Sequence, residues 1–175
     1  MTCSNINENK RIYRMPEIIA QINKKAKWIH FGKGNPADVE KLELEIKKYN
    51  LGNYCFLNGF KPNYEVLDFY KNNQVDFIFN LSQVEGIPVS LMEAASFGIP
   101  MIATKTVGNP EIVNSKNGFL IEVIFDSKEL VLQLNRYFEN KEEMISKRNA
   151  AKEMFFENYN ADVNYPLFCK NISAV

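Results

Sequence analysis

Cysteine and histidine are scarce in this 175-residue sequence, with three of the first and one of the second. Cys3, Cys55 and Cys169 are far apart and odd in number, and they form no CxxC pair. With His30 as the single imidazole they supply no zinc-ligand spacing, so no metal centre is expected. Reduced, mostly buried thiols of a cytoplasmic chain are the simpler reading. An excess of charge is also missing. Lys and Arg number 21, as do Asp and Glu, and formal net charge is zero. That balance excludes a broad field for nucleic acid or an anionic membrane, and no nucleic-acid partner is expected. No apolar run reaches the roughly 20 residues that span a bilayer, and the opening residues do not read as a signal peptide. Internal repeats, low-complexity tracts and Gly/Ser linkers are absent as well.

What is present is an alternation of short apolar runs with helical patterns. AKWIHFG (26–32), NYCFLNG (53–59), VDFIFNLS (75–82) and IPMIAT (99–104) are rich in β-branched and aromatic residues and end in Gly or polar residues. They read as strands buried on both faces. MTCS at the start reads as part of a first strand, and NGFLIE (117–122) as the last. Between them, Val39, Leu42, Ile46 and Tyr49 share one helix face. Val66, Leu67, Phe69 and Tyr70 sit in a shorter helix that Pro62 opens. Ile12, Met15, Ile19 and Ile22 make a stripe interrupted by Pro16, so that helix starts near Met15 or is irregular. Beyond about residue 126 the pattern is helical, with Leu130, Val131, Leu134 and Phe138 on one face. Met144, Ile145, Phe155 and Phe156 suggest a further helix. The order implies a doubly wound α/β domain with a parallel sheet, about 1–125 carrying sheet and crossover helices and about 126–175 the terminal helices.

The chemistry concentrates in VEGIPVSLMEAASFGIP (84–100). Pro88 fits a first helical position, which puts the cap on Ile87, a side chain that accepts no hydrogen bond. An uncapped helix start after a glycine loop, at the carboxyl end of a parallel strand, is a natural anion site. The alternative is a cap from Ser82, Glu85 or water. Glu93 is the one charge between Pro88 and Gly98 on an otherwise small or apolar helix. A carboxylate there needs partners, and a vicinal diol offers two donors for its two oxygens. A structural salt bridge, or a helix edge facing water, is the alternative.

The run EGIPVSLMEA (85–94), followed by ASFGIPMIAT (95–104), VGNPEIV (107–113) and NGFLI (117–121), resembles the retaining glycosyltransferases of family 4. More narrowly, it resembles their C-terminal, donor-binding half within the two-domain GT-B fold, from about Cys3 to Glu122 and less specifically beyond. The resemblance implies a Rossmann-like domain that binds a nucleotide diphosphate sugar. Sugar is transferred with retention to a saccharide or lipid-linked acceptor held by an N-terminal half, in glycan biosynthesis. It implies no metal and no cofactor beyond the donor. It implies a cytoplasmic location, peripheral at the inner face of the membrane in the full enzyme. By position, Glu93 would hold the ribose hydroxyls and Glu85 the hydroxyls of the donor sugar. The backbone of Gly86, Ile87 and Pro88 would lie against the sugar, and the amides of Val89 and Ser90 would face the diphosphate. The family places an arginine, then a lysine five residues later, on the loop after the first strand. SNINENKR (4–11) keeps the lysine as Lys10, followed by Arg11, but carries Asn5 at the arginine position. Lys10 would stabilise negative charge on the departing diphosphate, with Arg11 a second cation beside it.

Weaker candidates surround these. The GKG of Gly32, Lys33 and Gly34 reads first as a structural turn, the alternative being that its backbone, at Gly34, lines the diphosphate pocket. Phe60 in NGFKP (58–62) packs on a nucleobase or in ordinary contacts. GNPE (108–111) reads as a turn bordering the donor pocket, and His30 as a structural histidine. Two other readings stay open: a non-catalytic nucleotide- or sugar-binding module, favoured by Asn5, and a Rossmann-like domain in which Glu93 is only structural. The chain alone is expected to bind donor without transferring sugar.

Overall fold

The apolar runs become six parallel strands in the computed structural model, which describes residues 1–23 and 25–172. β1 (Thr2–Cys3), β2 (Trp28–Phe31) and β3 (Cys55–Leu57) pair in that order. β4 (Ile78–Asn80), β5 (Met101–Thr104) and β6 (Gly118–Ile121) pair in theirs. The two sheets meet at β1 and β4. There the Met1 amino group donates to the Phe77 carbonyl at 2.7 Å, and the Phe79 amide donates to the Met1 carbonyl at 2.9 Å. The spatial order is therefore β3-β2-β1-β4-β5-β6, in which the winding reverses between β1 and β4. β4 and β5 are buried throughout, as central parallel strands must be, whereas edge strands β3 and β6 are partly open.

Among the described residues there are eight α-helices. They are α1 (Met15–Gln21), α2 (Pro36–Lys48), α3 (Asn63–Asn72), α4 (Val89–Ser96), α5 (Asn109–Ile112), α6 (Ser127–Glu139), α7 (Lys141–Asn158) and α8 (Ala161–Ile172). Alternation along the fourth strand sorts the core. Phe77 and Phe79 pack with Met15 and Ile18 of α1, Leu42 of α2 and Leu134 of α6. Ile78 faces the other way, towards Val66 of α3, Leu91 and Ala95 of α4, and Ala151 of α7. Pro16 causes no break. A 3-10 turn (Ile12–Arg14) leads into α1, and Pro16 sits in its first turn, where an N–H is not needed. Asn35 caps α2, its side-chain oxygen accepting from the Asp38 amide at 2.9 Å. α4 ends at Ser96, and Gly98 beyond it has a φ of 66° that lets the Ile99 amide reach the Ala94 carbonyl.

The terminal stretch folds as three helices, α6 to α8, as far as Ile172, while 173–175 lie outside the described residues. α7 runs back to α4, and Arg148 donates to the Val75 carbonyl at 2.6 Å. α8 has no buried residue; Tyr165, Leu167 and Phe168 are all more than half exposed, while Tyr159 packs partly on the second core. Among the described residues no helix is long and apolar enough to cross a membrane.

Candidate functional site

Where the winding reverses, the loops after β1 and β4 leave the sheet in opposite directions and open a cleft of about 470 Å³. Cys3, Ser4 and Asn5 line one side; Asn80, Leu81 and Ser82 line the other. The two loops are stitched together by Asn9. Its side-chain amide donates to the Val84 carbonyl at 3.0 Å and accepts from the Val84 amide at 2.9 Å, while its own carbonyl accepts from Gln83. This brings Lys10 against Glu85, 75 positions away, with Nζ 2.5 Å from Oε2.

Glu85 Oε2 also accepts from Ser82 Oγ at 2.9 Å and Asn80 Nδ2 at 3.1 Å. Burial pushes the Glu85 carboxyl up, but the bonds from Lys10, Asn80 and Ser82 outweigh it and hold its pKa below the usual 4.5. The acid is therefore an ionised acceptor at neutral pH. Beside it, Ile87, Pro88, Val89 and Ser90 line the same cleft, and no side chain caps α4. The helix begins one residue later than expected, with Pro88 itself at the cap and the first helical amide on Val89. A residue without a side-chain acceptor still holds the cap, so neither Ser82 nor Glu85 fills it.

Glu93 lies one turn further along α4, outside the lining of the cleft. Its Oε1 accepts from Asn63 Nδ2, at the start of α3, at 2.6 Å. Burial raises its pKa above 4.5, against the lowering effect of that bond. Its charge reaches the cleft-lining Cys3 thiol, whose pKa burial and Glu93 together raise to about 11. Phe60 borders the cleft with two-thirds of its surface exposed, and Lys33 stands 5.7 Å from its ring centre.

The expectation for Arg11 needs correction, and Gly34 and Gly86, like Glu93, fall outside the lining of the cleft. Arg11 is buried and turned away from the cleft: Nε donates to the Leu81 carbonyl and Nη1 to that of Val123, each at 2.6 Å. Adjacency to Lys10 on a left-handed turn, φ 49° at Arg11, sends the two cations in different directions. Gly34 does not line the cleft. It forms a parallel bridge with Ile6, and a Cβ there would lie 2.6 Å from the Ile6 carbonyl oxygen. The glycine that faces the cleft is Gly32, whose φ of 151° and contact with the Ser4 carbonyl leave no room for a side chain. Gly86 is likewise outside the lining, and its carbonyl lies against Gly108.

Sequence reading missed Asn9 and Asn80, and weighed Ser82 only as a helix cap. Short polar residues just past a strand are common loop formers, and nothing in their spacing marks them as partners of Lys10 and Glu85. His30 donates or accepts at Thr2 Oγ1 over 2.8 Å and is fully buried, with its pKa lowered to about 4 by desolvation. Among the described residues no group of three or more His, Cys, Asp or Glu could hold a metal ion.

Comparison with known proteins places this geometry in context. The family of glycosyl transferases group 1 matches residues 2–154. The chain is 36% identical over 86 residues to WcaL of Salmonella typhimurium, named for colanic acid biosynthesis, covering 46% of this chain and 21% of that protein. It is 25% identical over 128 residues to the amylovoran biosynthesis glycosyltransferase AmsK of Erwinia amylovora, covering 71% of this chain and 31% of AmsK. Among solved structures, Anabaena HepE in complex with UDP superposes with a TM-score of 0.85 at 20% identity, over 99% of this chain and 48% of HepE. The C-terminal domain of LpcC from Francisella tularensis, a group 1 glycosyl transferase, gives 0.77 at 21% identity, over 91% of this chain and 85% of that domain. The chain thus spans less than half the length of HepE and matches smaller shares of WcaL and AmsK.

Proposed function

The chain belongs to the glycosyl transferases group 1 family, and from that premise we propose that its cleft holds a nucleotide diphosphate sugar as the donor half of a retaining glycosyltransferase in glycan biosynthesis. The observation that carries the reading is the convergence of Lys10, Glu85 and the uncapped start of α4 at the point where the winding reverses. A cation, free helix amides and an ionised acceptor are what a diphosphate joined to a polyol requires. HepE, the structural neighbour, has been solved with UDP and with UDP-glucose. Those ligands are the natural probes.

In this reading Lys10 and the amides of Val89 and Ser90 take the diphosphate. As the bond to the anomeric carbon breaks, negative charge grows on the departing phosphate, and a fixed cation there lowers the barrier. Glu85 accepts from a hydroxyl of the donor sugar. Glu93, one turn on, accepts from the ribose, exchanging Asn63 for two hydroxyls. Phe60 offers an exposed ring to the base. No resident metal is assigned a role. The acceptor is held by a second half of the kind that makes up the rest of HepE's length.

The test is calorimetry with UDP, UDP-glucose and uridine. Wild type is expected to bind UDP, and Lys10→Ala to lose affinity for UDP while leaving uridine unchanged. Equal loss for both ligands, or none, would remove the phosphate assignment. A second reading, a binding module without turnover, is favoured by Asn5, which lines the cleft where the family places a cation. The two separate on transfer. Joined to an acceptor half, the enzyme yields glycoside from UDP-sugar; the module binds donor and yields none.

A further inference from the structure

Three donors converge on one oxygen of Glu85. Lys10 Nζ, Ser82 Oγ and Asn80 Nδ2 all reach Oε2, and among the described residues no donor reaches Oε1. The three are not equivalent. Asn80 ends β4 and Ser82 lies on the loop that carries Glu85; both side chains are short, and their geometry is locked. The Ser82 amide donates to Asn80 Oδ1 at 3.1 Å, and Thr104 Oγ1, from β5, donates to the Ser82 carbonyl at 2.5 Å. Lys10 comes from the opposite wall on a flexible four-carbon stem, and its side chain keeps 23% of its surface in solvent. One of the three donors can leave without disturbing the loop. It is also the one that carries the charge a diphosphate needs.

We propose that Lys10 is handed from Glu85 to the incoming diphosphate, and that Asn80 and Ser82 are positioning residues that hold the released Glu85 carboxylate in place to accept from a donor-sugar hydroxyl. The inference rests on the reading of the cleft as a diphosphate-sugar site. In the empty cleft the ion pair keeps both charges satisfied. A diphosphate carries more charge than a carboxylate and adds the α4 amides as further donors, so it outcompetes Glu85 for the ammonium. Once Lys10 has moved, Oε2 retains two neutral donors and gains a vacant acceptor site, while Oε1 is open from the start. The carboxylate then faces a neighbouring anionic phosphate. A nucleoside diphosphate without sugar leaves that repulsion uncompensated. A sugar placed between the two groups donates a hydroxyl to Glu85 and offsets it. The exchange therefore favours the intact donor over the spent nucleotide.

The experiment is calorimetry on the full chain with UDP and UDP-glucose as probes. Glu85→Gln frees Lys10 in advance and removes the repulsion. It is expected to bind UDP roughly tenfold more tightly than wild type, about 1.4 kcal/mol, and to lose the preference for UDP-glucose over UDP. Ser82→Ala is expected to lower affinity for UDP-glucose several-fold more than for UDP. A merely structural role would lower both alike and would overturn the positioning assignment. In Lys10→Ala, adding Glu85→Gln should no longer give the full gain, because part of it passes through Lys10. A measurement without a variant guards against misfolding. The Glu85 carboxyl carbon resonance should shift when UDP is added and stay in place when uridine is added. Absence of that shift, or a Glu85→Gln protein that binds UDP no better than wild type, overturns this inference alone. Failure of wild type to bind UDP at all overturns the reading of the cleft and this inference with it.

Discussion

Glu85 and Glu93 stand eight positions apart, yet their surroundings move their acidity in opposite directions. At Glu85 burial raises the pKa, and three hydrogen bonds more than reverse it; at Glu93 burial prevails over the bond from Asn63. The consequence for stability has opposite signs. With a folded pKa below 4.5, Glu85 contributes stability that is present above 4.5 and is lost as pH falls through its folded value. Glu93, with a raised pKa, binds its proton more tightly in the folded chain and so weakens the fold as pH rises past 4.5. Urea midpoints of wild type and Glu85→Gln, followed from about pH 6 to about pH 3, should therefore differ most at the upper end and converge at the lower. A gap that stays constant with pH would mean that the ionised form of Glu85 gains nothing from folding. In binding, Glu93→Gln should keep the fold and weaken UDP by roughly 1.5–3 kcal/mol, the value of hydrogen bonds to a charged group. Unchanged affinity by calorimetry would remove the ribose role.

At the scale of elements, the start of α4 is placed by a neighbour that sequence reading treated only as a border. Gly108, just before α5, lies against the backbone of Gly86 and Ile87; a Cβ on Gly108 would overlap the Gly86 carbonyl oxygen. The Gly108 amide also points at the Glu85 carbonyl, at 3.4 Å. The contact is between backbone atoms, so no side-chain rotation relieves it. Gly108→Ala is therefore expected to push the Glu85–Pro88 loop towards the cleft. It should cost about 1–3 kcal/mol of stability, the usual price of overpacking, and lower UDP affinity several-fold. Denaturant unfolding and calorimetry measure the two effects. A variant with wild-type values in both would mean that the two loops part freely.

For the molecule as a whole, the sheet, its two cores and the cleft are complete without α8. That helix carries no buried residue, and its apolar side chains Val163, Tyr165, Leu167, Phe168 and Ile172 all have more than half their surface in solvent. Ending the chain at Asn160 should change stability by no more than about 0.5 kcal/mol, as for surface changes away from a core, and leave UDP affinity unaltered. A large drop in the thermal midpoint would show that α8 supports the fold. Both walls of the cleft, the loops after β1 and β4, face the proposed donor. Aligning an acceptor hydroxyl with the anomeric carbon to within about 3–3.5 Å needs a further surface. These 175 residues, incubated with UDP-glucose and a saccharide acceptor, are accordingly expected to give no glycoside product. Transfer by the chain alone would sink that expectation.

The sequence by itself determined the class of fold and the two carboxylates. Strand identity is a local property, because a run such as VDFIFNLS must be buried on both faces, and a helix opened by proline after a glycine loop leaves its amides free wherever it sits. Glu93 stood out for the same reason, as one charge on an apolar helix in need of a partner, and in the fold that partner is Asn63, outside the lining of the cleft. Tertiary structure alone decided which cation meets which acid. Lys10 and Arg11 are neighbours in the chain, but a left-handed turn sends one into the cleft and the other under Leu81 and Val123. Nor could spacing reveal that Asn9 joins the two loops, that Asn80 and Ser82 share an oxygen of Glu85 with Lys10, or that Gly32 rather than Gly34 faces the cleft. Each of these depends on the order of strands in the sheet. That order brings the ends of β1 and β4 side by side across more than seventy residues of chain, and it is fixed by packing helices on both faces rather than by any local signal.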